Sequence, residues 1–350
     1  MARVRPWLLT AATLGAAVAG ALLFRWLHLP LAAILGSLCG STIIANLFGE
    51  MGGGRKLRRG GQLFVGASVG AVLTPDVLAE LTQLFPLMFG VAVASNLFGL
   101  LLAFPVAKIA GVDRLTAVLA SLPAGMAEMA TLAHDLKADE QAVAIIHTLR
   151  VVLVLLLIPL WLGLVAKASA PPQPLYGMDG FGEILVLVIA AAIVAAVATR
   201  LGVLNAWIIA PMLSSLVVVA AGHPLPPVPP IVFLAAQITI GASLGLRFRV
   251  DRLARFPRVA LAGCFSGLLL IGAAFLVLAP IVELSGQLDH LSAILAVAPG
   301  GLGEMIASAG ALGLLAATVA GFQLSRSVLT NLLAPPLIRW LIGRRGNSKQ

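Results

Sequence analysis

Two short segments of the chain place a glutamate directly after a break in an apolar run, the pattern here best suited to carry chemistry. They read Ser121-Leu-Pro-Ala-Gly-Met-Ala-Glu-Met-Ala-Thr131 and Val297-Ala-Pro-Gly-Gly-Leu-Gly-Glu-Met-Ile-Ala307. A constant offset of 176 residues pairs Pro123 with Pro299, Gly125 with Gly301 and Glu128 with Glu304. A glutamate inside a membrane segment is by default a proton carrier, a cation ligand or a substrate contact. The alternative is that each glutamate only caps a helix.

The proline and glycine of each copy predict a break within a helix. A new half-helix should then start near Met126 and near Leu302, with unpaired N–H groups and the positive end of the helix dipole pointing into the protein. Two such ends facing one cavity would bind an anion. The competing interpretation is that the prolines and glycines only kink packed helices, since both residues are common in transmembrane helices.

Each copy is followed 22 residues after its glutamate by an arginine, Arg150 or Arg326. A buried guanidinium needs a partner. It could pair with the glutamate of its own copy as a structural strut, or it could contact an anionic substrate. His147 lies one helical turn before Arg150 and corresponds to Gln323 in the second copy. It could titrate near neutral pH, or it could simply be packed.

A second doubled motif runs from Gln62 to Gly70 and from Gln237 to Gly245. Its Gly-x-Ser-x-Gly core matches the nucleophile elbow of serine hydrolases, but that elbow needs a preceding strand, an acid and a histidine. Small residues four apart instead predict closely packed helices, with serines hydrogen-bonding across them. The candidate substrate or ion ligands from this motif are Gln62, Ser68, Gln237 and Ser243.

Composition requires a lipid bilayer as the chain's surroundings. Of 350 residues, 60% are hydrophobic and only 11% are charged, less than half the charged fraction of a soluble protein. The net charge of +9 arises from basic residues in short loops, as the positive-inside rule predicts, and not from a nucleic-acid-binding patch. Cys39 and Cys264 have no motif spacing, so no disulfide, metal or cofactor is indicated and we expect no enzyme activity.

Twelve apolar segments can be drawn along the chain. They are about Trp7–Leu27, Leu29–Phe48, Gly61–Ala79, Phe85–Ala107, Leu115–Leu136, Ala142–Val165, Phe181–Thr199, Ala206–Ala221, Pro229–Leu246, Val259–Ala279, Leu291–Gly313 and Leu314–Ile342. The duplication divides the chain into repeat A (1–169), a linker (170–180), repeat B (181–343) and a cytoplasmic tail (344–350).

The charges of the loops predict the topology. Basic residues after the second, fourth, ninth and twelfth segments put those loops on the cytoplasmic side, and this requires one segment in each half not to cross. The broken fifth and eleventh segments are the best candidates. We therefore expect an all-α polytopic membrane protein with two inverted-topology repeats of about five crossings, each holding a Pro-x-Gly-broken helix that re-enters or crosses. Both termini should be cytoplasmic, and the stretch Ala170–Pro174 external.

The doubled Pro-x-Gly-x-x-Glu-Met motif and the paired Gln-x-x-x-Gly-Ala-Ser-x-Gly motif resemble the AbrB-type membrane proteins, which carry labels such as ammonia monooxygenase or regulator of gene expression. That family is distantly similar to the cation/proton antiporter and anion transporter superfamily. The resemblance implies inverted repeats whose broken helices cross at the substrate site. Five scattered histidines do not form the ligand cluster of a monooxygenase, and no polar stretch is long enough for a DNA-reading domain.

These observations favour a secondary transporter of a small anionic solute in the cytoplasmic membrane, coupled to a proton or cation gradient. The alternative is a membrane-embedded sensor that affects gene expression indirectly and moves nothing. Partners of the transporter would be the solute and the bilayer, with no direct contact to nucleic acid. A homodimer is compatible with either interpretation.

Overall fold

A computed structural model describes residues 6–48, 53–165, 178–203 and 205–346, and within these ranges it is all-helical. One five-residue π-helical turn, Ala274–Leu278, lies between Ala273 and Ala279 in these ranges. The helices are α1 (Pro6–Trp26), α2 (Ala32–Phe48), α3 (Gly54–Ala71), α4 (Pro75–Ala110), α5 (Arg114–Ser121), α6 (Met126–Asp135), α7 (Glu140–Val165), α8 (Phe181–Arg200), α9 (Ala206–Ala220), α10 (Pro230–Gly245), α11 (Val250–Arg255), α12 (Pro257–Ala273), α13 (Ala279–Glu283), α14 (His290–Val297), α15 (Leu302–Ala311) and α16 (Ala316–Gly346).

Several of these helices can cross a bilayer. Six stretches in the described ranges are long and apolar enough: Leu9–Trp26, Pro75–Ala110, Glu140–Ile158, Phe181–Arg200, Pro230–Arg255 and Pro257–Glu283. Large apolar side chains on them face outward, including Phe104 and Leu276, of which 72% and 81% are exposed. A monomeric protein that is soluble in water rarely exposes so much apolar surface. The chain is a multi-span membrane protein, as its composition predicts.

The predicted third segment, Gly61–Ala79, is wrong at its end. Helix α3 ends at Ala71, and the 36-residue α4 begins at Pro75. Proline fits the first helical turn because its missing N–H would be unpaired there, and Leu78 donates back to the Thr74 carbonyl. A 36-residue helix is about 54 Å long, which exceeds a hydrocarbon core of about 30 Å.

The second half of the chain replaces this long helix with two. Residues equivalent to the start of α4 at an offset of 175 form α11, and Phe256 then leaves the helical conformation before Pro257 opens α12. The residue before a proline is disfavoured in helical conformation. Because Leu81 and Thr82 occupy the equivalent positions without a proline, α4 continues where α11 stops.

The chain forms two compact units. Unit 1 contains Met1–Thr82, Leu156–Asp251 and Ile306–Ala317, and unit 2 contains Gln83–Leu155, Arg252–Met305 and Thr318–Gln350. The units are interleaved along the sequence, so they do not test the boundaries predicted for the two repeats. The predicted linker falls mainly on residues 166–177, and the end of the tail on 347–350, which lie outside the described residues.

Glycines of the Gly-x-Ser-x-Gly motif bring helices of unit 1 into backbone contact, as the small-residue spacing predicts. A Cβ on Gly66 would overlap the Ile208 carbonyl oxygen of α9, and a Cβ on Gly241 would overlap the Ile34 carbonyl oxygen of α2. Lack of a side chain is what permits this approach. The predicted serine bonds across helices are wrong, because both hydroxyls donate to a carbonyl three residues earlier in their own helix. The bonds are Ser68 to Val65 (2.8 Å) and Ser243 to Ile240 (2.7 Å).

The two helices that carry this motif, α3 and α10, pack against each other in opposite directions. Gly54 at the start of α3 lies beside Leu246, just after α10 ends. About two turns further along α3, a Cβ on Gly61 would lie 2.6 Å from the carbonyl oxygen of Ala236, in the first half of α10. Equivalent segments of the sequence are therefore antiparallel neighbours within unit 1.

Candidate functional site

Both predicted helix breaks are present. In the first, α5 ends at Ser121, Leu122 turns to an extended conformation, and α6 begins at Met126 after Gly125. In the second, α14 ends at Val297 and α15 begins at Leu302. The four half-helix ends supply polar backbone groups to the site. A helix has unpaired carbonyls where it ends and unpaired N–H groups where it begins. Whether the broken helices span or re-enter stays a prediction.

An aspartate caps the N-terminus of the first half-helix in each copy, α5 and α14. Asp113 caps α5 by accepting from the backbone N–H of Thr116, and Asp289 caps α14 by accepting from that of Ser292. A side-chain oxygen at this position satisfies a donor that the helix cannot. The aspartate fixes where each half-helix begins, and the proline that follows fixes where it ends.

Each proline leaves one carbonyl without its usual helical donor. Leu119 lies four residues before Pro123, and Leu295 lies four residues before Pro299, and proline has no N–H to offer them. In the structure His147 Nε2 lies 2.9 Å from the Leu119 oxygen, and Gln323 Nε2 donates to the Leu295 oxygen at 2.8 Å. A side chain from a later helix thus replaces the lost hydrogen bond in each copy.

The hydrogen bonds of His147 fix its protonation state. Arg150 Nη2 lies 2.9 Å from His147 Nδ1, and because a guanidinium only donates, Nδ1 has to accept. The Leu119 carbonyl only accepts, so Nε2 carries the hydrogen. The ring is therefore neutral, and its two nitrogens do the work of the carboxamide of Gln323, whose Oε1 accepts from Arg326 Nη2 at 2.5 Å.

The arginines close the stopped end of each broken helix. Arg150 donates from Nη1 to the Leu122 oxygen (2.9 Å) and from Nη2 to the Ala124 oxygen (3.0 Å). Arg326 does the same, from Nη1 to the Ala298 oxygen (2.5 Å) and from Nη2 to the Gly300 oxygen (3.0 Å). Each guanidinium is almost fully buried, with 2% of Arg150 and 6% of Arg326 exposed. A cation at a helix C-terminus also neutralises the negative end of the dipole.

The break carbonyls are a partner that the sequence analysis did not consider for these arginines. It weighed a glutamate of the same copy and an anionic substrate, whereas the hydrogen bonds above go to the backbone of the break. The signal was present in the sequence, because a Pro-x-Gly break necessarily leaves orphaned carbonyls. An arginine and a neighbouring His or Gln three residues apart on one helix face supply the matching donors.

The predicted site residues fall in two groups. Pro123, Gly125, Arg150, Pro299, Gly301, Glu304 and Arg326 belong to unit 2, whereas Gln62, Ser68, Gln237 and Ser243 belong to unit 1. Glu304 is fully buried in the first turn of α15. The backbone of Glu128 lies in the first turn of α6, and its side chain lies outside the described residues. Gln62 and Gln237 are both buried. The role of each as a ligand stays a prediction.

Two glycines let neighbouring helices approach the first break, and the sequence analysis did not single them out. A Cβ on Gly99 of α4 would lie 2.8 Å from the Ser121 oxygen and 2.9 Å from Pro123 Cδ. A Cβ on Gly267 of α12 would lie 3.3 Å from Arg150 Cα. The backbone of α4 therefore packs directly on the break, and the backbone of α12 packs on α7 at the arginine that closes it. Within the described residues, no three His, Cys, Asp or Glu side chains are grouped to hold a metal ion.

Comparison of the sequence with known proteins identifies the family of this chain. Residues 40–342 match the family model described as "Transition state regulatory protein AbrB". The chain belongs to the AbrB family. Two relatives, each 25% identical to this chain, align with it over most of both sequences. "Uncharacterized protein YhjN" of Bacillus subtilis aligns over 83% of this chain and 79% of its own length, and "Putative regulator AbrB" of Escherichia coli over 91% and 92%. The resemblance noted from the doubled motifs is confirmed.

Proposed function

We propose that this AbrB-family protein is a secondary transporter of a small anionic solute, driven by a proton or cation gradient. The observation that carries the proposal is the arginine closure of both helix breaks. A break exposes a negative helix end and a positive helix end, each equivalent to about half an elementary charge. Arg150 and Arg326 neutralise only the negative ends. The positive ends at Met126 and Leu302 then remain to attract an anion.

Spare donors in the same place support an anionic solute. Arg150 Nε and Arg326 Nε are buried and have no hydrogen-bond partner among the described residues. Ser121, the last residue of α5, is fully buried and its hydroxyl is likewise without one. A buried polar group without a partner costs about 1–3 kcal/mol. A bound oxyanion with acceptor oxygens would recover that cost, whereas a cationic solute would add to it.

The proposed site joins the two breaks. Both belong to the same compact unit, unit 2. Two guanidiniums that repel each other at low dielectric are both stabilised by one anion between them. We infer a single solute site shared by the two copies of the motif, with one half-helix start contributed by each.

Glu304 gives this site a means of coupling. It is fully buried in the first turn of α15, where its carboxylate would compete with an anion for the positive helix end. A proton on Glu304 removes that competition, so proton and anion would bind together. The proposal therefore assigns coupling to Glu304, and by repetition to Glu128.

An inverted arrangement of repeats underlies the transport mechanism we propose. Its support is the antiparallel packing of α3 and α10, which are equivalent in sequence yet run in opposite directions. Binding near the bilayer midplane, at broken helices from two inverted repeats, is the usual plan of secondary transporters. The matching hydrogen bonds of the two breaks, at a constant offset of 176 residues, fit the same plan.

The test is flux in proteoliposomes containing the purified chain. Labelled mono- and dicarboxylates and phosphate, ranked first by thermal shift, are supplied with an inward proton or sodium gradient. We expect gradient-driven accumulation of at least one probe. Glu304→Gln should remain folded and retain solute exchange at equal concentrations but lose accumulation. Glu183→Gln is the matched control, because Glu183 also lies in a first helical turn but is exposed. Unchanged accumulation by a folded Glu304→Gln protein would remove the coupling role.

The name of the Escherichia coli relative, "Putative regulator AbrB", favours a second candidate, a ligand sensor without transport. Sensor and transporter share the anion site and differ only in flux. A probe that raises the unfolding temperature of the chain but shows no flux under any gradient would decide for the sensor.

A further inference from the structure

Two basic segments that are distant in sequence meet at one end of unit 1. Helix α3 starts with Arg55 and Lys56, both exposed, followed by Arg58 and Arg59. Its first residue, Gly54, lies beside Leu246, so the turn that follows α10 is its neighbour. That turn carries Arg247 and Arg249. The two segments together carry six basic residues, and their described residues include a single acid, Asp251. Of the six, Arg59 lies over the Trp207 ring and Arg249 pairs with Asp251.

The turn is held in place by the end of α2. Asn46 Nδ2 donates to the Phe248 oxygen (3.0 Å), and Asn46 Oδ1 accepts from the Val250 backbone N–H (2.8 Å). Two bonds from one carboxamide fix the backbone on both sides of Arg249. Asp251 accepts from Arg249 through both carboxylate oxygens, at 2.9 and 3.0 Å. The turn that carries Arg247 is therefore a fixed scaffold and not a loose loop, and the mostly buried Arg249 side chain helps to hold it through Asp251.

An apolar wall adjoins the basic residues. The last turns of α2, which hold this turn, expose Ile43, Leu47 and Phe48, with 60%, 70% and 55% of each accessible. Val250, in the bonded turn itself, is 55% exposed. A free phosphate or a nucleic acid would leave this wall uncovered. A molecule with a negative head and hydrocarbon chains matches both parts of the surface.

The start of α3 shows the same need for an anion. Its N-cap is Gly53, which supplies no side-chain hydrogen bond, and its first turn contains no acid. Cations at the positive end of a helix dipole are unfavourable, and α3 has two within its first three residues. A phosphate placed over this end would accept from backbone N–H groups and neutralise the basic side chains at once.

We propose that this basic face, formed by Arg55, Lys56 and Arg247 above the apolar end of α2, binds the headgroup of an anionic phospholipid. The lipid phosphate lies among the three cations, and its acyl chains run along Ile43 and Leu47. The lipid acts as a structural cofactor that ties the start of α3 to the turn after α10. This inference does not depend on transport, because it concerns unit 1 and would hold equally for a sensor.

The experiment uses the full chain, purified in detergent and titrated with phosphatidylglycerol or phosphatidylcholine while thermal unfolding is followed. Phosphatidylglycerol should raise the unfolding temperature saturably, and phosphatidylcholine should not. Each lysine or arginine near a membrane surface changes the affinity for anionic lipid about five-fold. Arg55→Gln with Lys56→Gln should weaken binding about 25-fold, and Arg247→Gln alone about five-fold. High salt should weaken binding in the wild type.

Lys108→Gln with Arg114→Gln is the matched control, since both residues are exposed, predicted to be cytoplasmic and outside the basic face. It should leave the affinity for phosphatidylglycerol unchanged. A loss in the control equal to that of Arg55→Gln with Lys56→Gln would overturn the proposal, because the effect would then be one of net charge. Stabilisation by inorganic phosphate alone, lost in the same variants, would also overturn it, as the site would bind a free anion and not a lipid. Equal unfolding temperatures in phosphatidylcholine verify that the variants fold.

Discussion

His147 supplies the hydrogen-bond donor that Pro123 cannot offer to the Leu119 carbonyl. This replacement makes a quantitative prediction. Leucine at this position keeps the volume of the side chain but can neither donate nor accept. Glutamine keeps both functions, and Gln323 shows that it reaches the equivalent carbonyl and arginine in the second copy. His147→Leu should therefore destabilise the protein strongly, and His147→Gln should not.

The magnitude follows from two hydrogen bonds. His147→Leu removes an acceptor from Arg150, and a bond to a charged donor contributes about 1.5–3 kcal/mol. It also leaves the Leu119 oxygen without the donor that Pro123 cannot supply, and an unsatisfied buried group costs about 1–3 kcal/mol. The two effects overlap, and neighbouring groups can relax. We therefore expect the free energy of unfolding to fall by about 3 kcal/mol. For His147→Gln we expect a loss below about 1 kcal/mol, because both bonds can form.

Reversible unfolding of the purified protein in mixed micelles measures both changes against the wild type. Gln323→Leu and Gln323→His are the corresponding pair in the second copy and should follow the same order. A His147→Gln protein as unstable as His147→Leu would show that the histidine ring is needed for its shape. Wild-type stability in His147→Leu would show that the Leu119 carbonyl and Arg150 find other partners, and the capping argument would be wrong.

Three further predictions follow from the same structure. Arg326→Gln should destabilise the protein by about 3–5 kcal/mol, since it removes three hydrogen bonds from a charged donor, each contributing about 1.5–3 kcal/mol before the neighbouring groups relax. In Arg326→Lys most of that loss should remain, because a single ammonium cannot bridge both break carbonyls as the planar fork does. Gly241→Ala should lose about 1–3 kcal/mol through overlap with the Ile34 backbone, whereas Gly90→Ala, with no atom within 4 Å of its Cβ, should be neutral or better. In a cysteine-free background, His223→Cys should react with an impermeant thiol reagent from outside and Lys56→Cys only from inside. Reaction of both from one side would refute the inverted topology.

The sequence alone predicts the broken helices, their boundaries and the close helix contacts, because proline, glycine and small-residue spacing act locally. It predicts the membrane class for the same reason, since composition needs no tertiary contact. What it misses depends on partners far along the chain. The bonds from Arg150 and Arg326 span 26 to 28 residues of sequence. The continuous α4 was missed because Val72 and Leu73 are apolar yet lie between helices, so hydropathy could not mark the boundary.

The contrast between continuous α4 and its two-piece counterpart, α11 and α12, bears on energetics. Two inverted repeats of identical sequence would give two conformations of equal free energy, one open to each side, because exchanging the repeats converts one into the other. In the proposed inverted arrangement, a continuous helix in the first half and a helix interrupted at Pro257 in the second make the two conformations unequal in free energy. The resting orientation would then be set by which half bends more easily, and a stiffer joint would shift the balance without touching the solute site.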